Sequence, residues 1–276
     1  MQWMKGFKRG SNMKKRLITA IIILAIILPI IFIGGVTFIL AVGIISILGF
    51  KEVIDLKKSH KPVPLIPCIF ALTALLSFAL TDLNSGEYLF KVTSVILALA
   101  ALGIIIPTVF YDENKYTTKD AFYLLGTTLF LGLAFNNFIV IRDMGLELFF
   151  YLLLIPVCTD TFAFFFGCKY GKHKMCPKLS PKKSWEGGIA GLVFGTLIPC
   201  IFYRVFISKF SFSIILCTII LSIMGQIGDL LFSKIKREND IKDFSNLMPG
   251  HGGILDRLDS AIVIFMTFIV LNAILF

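Results

Sequence analysis

Apolar residues in this chain fall in long unbroken runs. They do not follow the three-and-four spacing of an amphipathic helix or the ten-residue alternation of a barrel strand. A bilayer core about 30 Å thick asks for roughly 20 apolar residues per helix. That length recurs at 63–81, 88–110, 121–140, 146–166, 188–207, 212–231 and 258–276. Residues 17–50 form one further run of 34, interrupted at Gly34-Gly35. A single helix of that length would measure about 51 Å at 1.5 Å per residue, too long for the bilayer. Two short spans turning near the glycine pair fit better, which gives about nine in all. The fold class this predicts is an all-α polytopic integral membrane protein with about nine transmembrane helices. We divide it into an N-terminal half of five spans (1–150) and a C-terminal half (151–276).

Composition agrees: 57% of the 276 residues are hydrophobic and 16% charged, against about 25% charged in soluble domains. The basic start, Lys5 to Arg16, followed by an apolar run resembles a signal peptide. The run is too long for that and no A-x-A-like site follows, so it reads as a retained first helix. The net charge of +10 is informative through its placement. With the N-terminus in the cytoplasm, segments 1–16, 51–62, 111–120, 167–187 and 232–257 lie inside. They hold 6, 4, 2, 6 and 5 Lys or Arg residues, 23 of the 27, as the positive-inside rule requires. The charge therefore anchors the chain in its membrane, and nucleic acid is not an expected partner. Six cysteines lie mostly within apolar runs and read as small apolar fillers. Cys168, His173 and Cys176 share one segment, but a structural zinc wants four ligands at tighter spacing.

Chemistry concentrates in the second half. Asp160 lies in LIPVCTDTFAFFFG, Asp229 in SIMGQIGDLLF, and Asp256 and Asp259 open the last span in GGILDRLDSAIVIF. A carboxylate in or at the edge of hydrocarbon is costly and marks a functional site by default. The predicted topology puts all four at the cytoplasmic ends of their helices. Asp256 and Asp259, three apart, face roughly one way. Clustered carboxylates suit Mg²⁺, which keeps waters and bridges to substrate phosphates. The Pro249-Gly250-His251-Gly252-Gly253 lead-in can turn backbone N–H groups and a positive helix terminus toward an anion. KLSPKKSWEGG supplies Lys182, Lys183 and Ser184, and SKIKRENDIKD supplies Lys234, Lys236, Arg237 and Lys242. Alone these are ordinary membrane anchors. Beside four acids they make a phosphate cradle, since metal plus Lys and Arg is how proteins neutralise phosphoryl charge. Gly187, Gly191 and Gly195 recur every four residues and read as helix packing.

The run Ser233-Lys234-Ile235-Lys236-Arg237, Lys242-Asp243, then Pro249-Gly250-His251-Gly252-Gly253-Ile254-Leu255-Asp256-Arg257-Leu258-Asp259 closely resembles the signature of bacterial phosphatidate cytidylyltransferases. Leu179-Ser180-Pro181-Lys182-Lys183-Ser184-Trp185-Glu186-Gly187, Gly225-Gln226-Ile227-Gly228-Asp229-Leu230 and Asp160-Thr161-Phe162-Ala163-Phe164 are similar to further elements of that family. Phe164 stands where Tyr is more usual, and Phe232 where Glu often precedes the signature serine. The resemblance covers 160–260 well and the first 150 residues only in general character.

It implies an enzyme that makes CDP-diacylglycerol and pyrophosphate from CTP and phosphatidic acid with Mg²⁺. It also implies a second cation such as K⁺, a homodimer, and a cell-membrane location with the site at the cytoplasmic face. The expected metal set is Asp229, Asp256 and Asp259. Lys182, Lys183 and Asp160 join these as catalytic candidates. Ser180, Ser184, Ser233, Lys236, Arg237, Lys242, His251, Gly252, Gly253 and Arg257 are the candidates for phosphate binding. Two other readings fit the sequence. One is a cytidylyltransferase or CTP-dependent kinase for another lipid. The other is a transporter, against which stand the one-sided acids and the lack of an internal repeat.

Overall fold

A computed structural model describes residues 21–58, 63–81, 86–208, 211–247 and 252–275. The helices are α1 (Ile21–Ile33), α2 (Gly35–Lys58), α3 (Leu65–Ala79), α4 (Gly86–Ile105), α5 (Pro107–Phe110), α6 (Thr118–Met144) and α7 (Leu146–Tyr170). A hairpin of β1 (Lys174–Cys176) and β2 (Ser180–Ser184) follows, and then α8 (Trp185–Phe206), α9 (Phe212–Glu238) and α10 (Leu255–Leu275). The chain is an all-α, multi-pass membrane protein. Among the described residues six helices are long and apolar enough to cross a bilayer, against nine expected spans. Three shorter apolar helices, Ile21–Ile33, Leu65–Ala79 and Ser94–Phe110, make the difference. The basic cluster Lys5 to Arg16 lies outside the described residues.

The helix break expected at Gly34-Gly35 is present. Gly34 (φ 66°) and Gly35 (φ 53°) both take the left-handed conformation between α1 and α2, which side chains with a Cβ disfavour. Other boundaries depart from the hydropathy reading. The run expected as one helix over 88–110 is broken before Pro107, which has no N–H to continue the ladder. The segment expected as a loop from residue 232 is helical as far as Glu238. Hydropathy registers only the apolar turns, whereas Lys, Arg and Glu are good helix formers and cations suit a helix C-terminus.

The chain forms two compact units, one of Met1–Ile139 with Asp243–Arg257, the other of Val140–Lys242 with Leu258–Phe276. The segment before α10 thus belongs with the N-terminal helices. In the first unit Ala71, Leu75, Ala79, Ile104, Leu124 and Leu131 are buried. The buried Asn136 amide donates to the Ala79 (3.3 Å) and Thr81 (2.8 Å) carbonyl oxygens, groups that the end of α3 leaves without helical partners. At the α4–α5 break the Tyr116 hydroxyl donates to the Ile104 carbonyl oxygen at 3.0 Å. Burial, reinforced by the Asp120 charge, raises the proton affinity of that phenol, so it stays a donor.

In the second unit α7 and α8 pack along the glycine stripe. A Cβ at Gly187 would sit 2.5 Å from the Ala163 carbonyl oxygen, and one at Gly191 would sit 2.7 Å from that of Thr159. The packing role expected for Gly187, Gly191 and Gly195 holds. Lipid tails are as apolar as leucine, so such helices associate through close packing and interhelical hydrogen bonds. The bonds here run from Tyr151 to Thr218 (2.7 Å), Thr159 to Ser222 (3.1 Å) and the Gln226 amide to the Gly188 carbonyl (3.2 Å). Gly225 and Gly228 of α9 meet Ile264 and Val263 of α10. Gly191→Leu is expected to prevent assembly, shown by loss of the monodisperse detergent-solubilised species on size exclusion. A normal elution profile would contradict the stripe's role.

Candidate functional site

The polar segment between α7 and α8 folds into the antiparallel β1–β2 hairpin, with Lys174 opposite Ser184 and Cys176 opposite Ser180. The hairpin presents Lys182 and Lys183 and ends at Ser184, whose Oγ caps α8 by accepting the Gly187 N–H at 3.2 Å. Glu186, in the first turn of α8, takes the His173 N–H at 3.1 Å and pairs with His173 Nδ1 at 2.7 Å, which ties the hairpin to the helix. Cys168, His173 and Cys176 share this stretch of sequence. They form no cluster, and the histidine serves this tie.

Within the second unit, α7, the hairpin, α8 and α9 enclose a cavity of about 490 Å³. That is within the roughly 300–1,000 Å³ of small-molecule sites. Asp160, Lys182, Lys183, Ser184 and Asp229 line it, with Lys174, Gln226, Met175 and Cys168. Lys183 Nζ lies 2.5 Å from Asp229 Oδ2, both side chains about a quarter exposed. Partly buried charges need partners of this kind, and a cavity open to water keeps the pair exchangeable. Ser233 Oγ donates to Asp229 Oδ1 at 3.4 Å, one turn further along α9. Asp259, one turn into α10, interacts electrostatically with Asp229, Asp160 and Lys236. Asp259 Oδ1 also accepts the Ser260 N–H at 2.7 Å.

Other candidates lie elsewhere. Among the described residues, Ser180, Ser233, Lys236, Arg237, Lys242 and Asp259 are not in the cavity wall. Lys236 is buried, and Arg237 binds the Leu179 (3.5 Å) and Ile241 (3.0 Å) carbonyl oxygens, pinning local backbone.

In the first unit, Asp256 Oδ2 accepts the N–H groups of Phe244 (2.8 Å) and Gly253 (2.9 Å). Gly252 is left-handed (φ 81°), and a Cβ there would lie 2.8 Å from Asp256 Oδ2. The Ile254 and Leu255 N–H groups are taken by Glu52. The backbone donors expected to face a substrate anion therefore face the protein's own carboxylates, Asp256 for Gly253 and the distant Glu52 of α2 for Ile254 and Leu255, which together satisfy a helix start that would otherwise lack partners. Arg257 is exposed. His251, Pro249 and Gly250 lie outside the described residues. No group of three or more His, Cys, Asp or Glu side chains forms a ready metal site among the described residues.

Sequence reading missed Lys174, Gln226 and Glu52. Gln226 carried a signal, an amide inside an apolar run. Lys174 and Glu52 looked like ordinary membrane-edge charges.

Residues 14–275 match the family described as the Cytidylyltransferase family. The chain belongs to the cytidylyltransferase family. Among similar curated proteins of this family, the phosphatidate cytidylyltransferase of Staphylococcus haemolyticus is 36% identical over 251 residues, covering 90% of this chain and 94% of the relative. Those of Staphylococcus epidermidis and Staphylococcus aureus are 34% and 33% identical, again over 90% of this chain and 94% of theirs. This cytidylyltransferase-family match spans both units, so it extends the resemblance from residues 160–260 to nearly the whole chain.

Proposed function

We propose that this enzyme is a phosphatidate cytidylyltransferase, forming CDP-diacylglycerol and pyrophosphate from CTP and phosphatidic acid. The observation that carries the reading is the cavity of the second unit, where Asp160, Lys182, Lys183 and Asp229 from three different elements converge, the two acids lying more than two turns inside the ends of α7 and α9 and not at them as expected. Placement of 23 of 27 basic residues in alternating segments supports a cytoplasmic N-terminus and a cytoplasmic site in the cell membrane. The homodimer implied by the family likeness is part of the same reading.

The lipid phosphate is itself the nucleophile. By analogy with phosphoesters its second pKa is about 6, so it is largely dianionic near neutral pH and needs no Ser or Cys intermediate. Its oxygen bonds to the α-phosphorus of CTP, and the bond from that phosphorus to the bridging oxygen of the β-phosphate breaks. Pyrophosphate leaves with the electron pair. The obstacle is bringing two polyanions together. Lys182 and Lys183 screen the phosphates, with Lys183 exchanging Asp229 for a phosphate oxygen. Asp160 orients a basic partner at the cavity wall.

Magnesium fits this donor set. An ion bridged to substrate phosphates takes only one or two carboxylates, and Asp229 with Asp259 would hold it. Bound Mg²⁺ supplies neutralisation of charge on the triphosphate.

The test follows the label of CTP through the purified protein with phosphatidic acid. Label at the α-phosphorus is expected in the lipid and label at the γ-phosphorus in pyrophosphate. γ-Label in the lipid with release of CDP would establish a CTP-dependent kinase instead. No lipid label from either, with CTP or lipid moved across vesicles, would favour a transporter.

A further inference from the structure

Glu52 is only 4% exposed. It lies near the end of an apolar helix, in a place where membrane-edge charges normally reach water. Its carboxylate is fully committed to one segment about 200 residues away. Oε1 accepts the Ser245 hydroxyl at 2.6 Å and the Ile254 N–H at 2.8 Å, and Oε2 accepts the Leu255 N–H at 2.9 Å. Ser245 Oγ in turn accepts the Leu247 N–H at 3.2 Å. Burying a carboxylate is costly unless hydrogen bonds replace its water. The N-terminus of α10 does so with two otherwise orphaned N–H groups and the positive end of the helix dipole.

From this we infer that Glu52 is a positioning residue for the transfer reaction, the internal anion that fixes Ser245 and the start of α10. Two carboxylates share the task. Glu52 takes Ser245, Ile254 and Leu255, and Asp256 takes Phe244 and Gly253. The arrangement also accounts for a glycine of the signature. A Cβ at Gly253 would sit 2.7 Å from both Glu52 Cδ and Oε2, so the clamp closes only on glycine. Asp256 and Asp259 both ride on the first turns of α10. A helix start that is free to fray displaces them, and misplacement by about 1 Å costs on the order of 100-fold in rate. Glu52 touches no substrate in this scheme. It acts through α10.

The inference rests on the proposed cytidylyl transfer, so the test has a kinetic and a structural arm. Glu52→Gln and Glu52→Ala are purified as the full chain in detergent beside the parent. Turnover at saturating substrates and KM for CTP are measured, and amide exchange is followed by mass spectrometry. The expected order of turnover is parent above Gln above Ala, because Gln keeps an acceptor oxygen but no charge. Gln should fall about 10-fold and Ala about 100-fold, with KM for CTP moving less than about threefold. Exchange should accelerate in 244–258 and stay unchanged in Leu65–Ala79. Two results overturn the inference: turnover of both variants within twofold of the parent, or loss of turnover with exchange rising equally in both segments. If the parent itself makes no liponucleotide, the proposed function fails, while local acceleration of exchange in 244–258 alone would still support the clamp.

Discussion

Asp229→Asn is expected to reduce conversion of CTP and phosphatidic acid to liponucleotide by about 1,000-fold, equivalent to about 4 kcal/mol of transition-state stabilisation. Asp229 joins several groups of the site: an ion pair with Lys183, a hydrogen bond from Ser233, and electrostatic interaction with Asp160 and Asp259. The amide keeps the shape and an acceptor for Ser233. It removes the charge that balances Lys183 and that would hold a cation against the triphosphate. The loss should therefore appear in turnover, while the variant still inserts and elutes as the parent does. Radiolabelled CTP and lipid extraction measure it. Activity within tenfold of the parent would remove Asp229 from the machinery.

Asp256→Asn and Asp259→Asn are each expected to lower turnover by about 100-fold or more, again without loss of membrane insertion. The Asp256 case separates two roles. An asparagine oxygen still accepts the Phe244 and Gly253 N–H groups, so the loop survives and any loss reports the missing charge. Asp256→Ala removes both acceptors and should also cost about 1–3 kcal/mol of local stability, seen as faster amide exchange in 244–255. If Asp256→Asn keeps full activity and Asp256→Ala does not, Asp256 is an anchor for the loop and not part of the charge chemistry.

Much of this protein can be read from its sequence because the bilayer imposes a coarse rule. Apolar runs of fixed length give helices, and a glycine pair within too long a run gives a turn, as at Gly34-Gly35. The candidate acids stood out because charge within hydrocarbon is rare. Hydropathy could not show where amphipathic helix ends stop. Ser233, Lys236 and Arg237 therefore appeared as loop residues although α9 carries them. Nor does periodicity show which distant residues meet. Lys183 and Asp229 are separated by two helices' worth of chain, and Glu52 and Ile254 by 202 residues. The hairpin was invisible for a different reason, since three- and five-residue strands leave no usable alternation.

CTP is proposed to occupy the cavity of the second unit, and Cys168 offers a native reporter there. Its thiol is exposed and lines the cavity beside Lys182 and Lys183, whereas Cys158, Cys200 and Cys217 are buried. The measurement is the rate at which a charged maleimide alkylates Cys168 in the purified, active protein, mapped by peptide mass spectrometry with and without CTP and Mg²⁺. Saturating CTP is expected to slow the reaction at Cys168 at least tenfold. An unchanged rate, in a preparation that is turning substrate over, would place the nucleotide elsewhere.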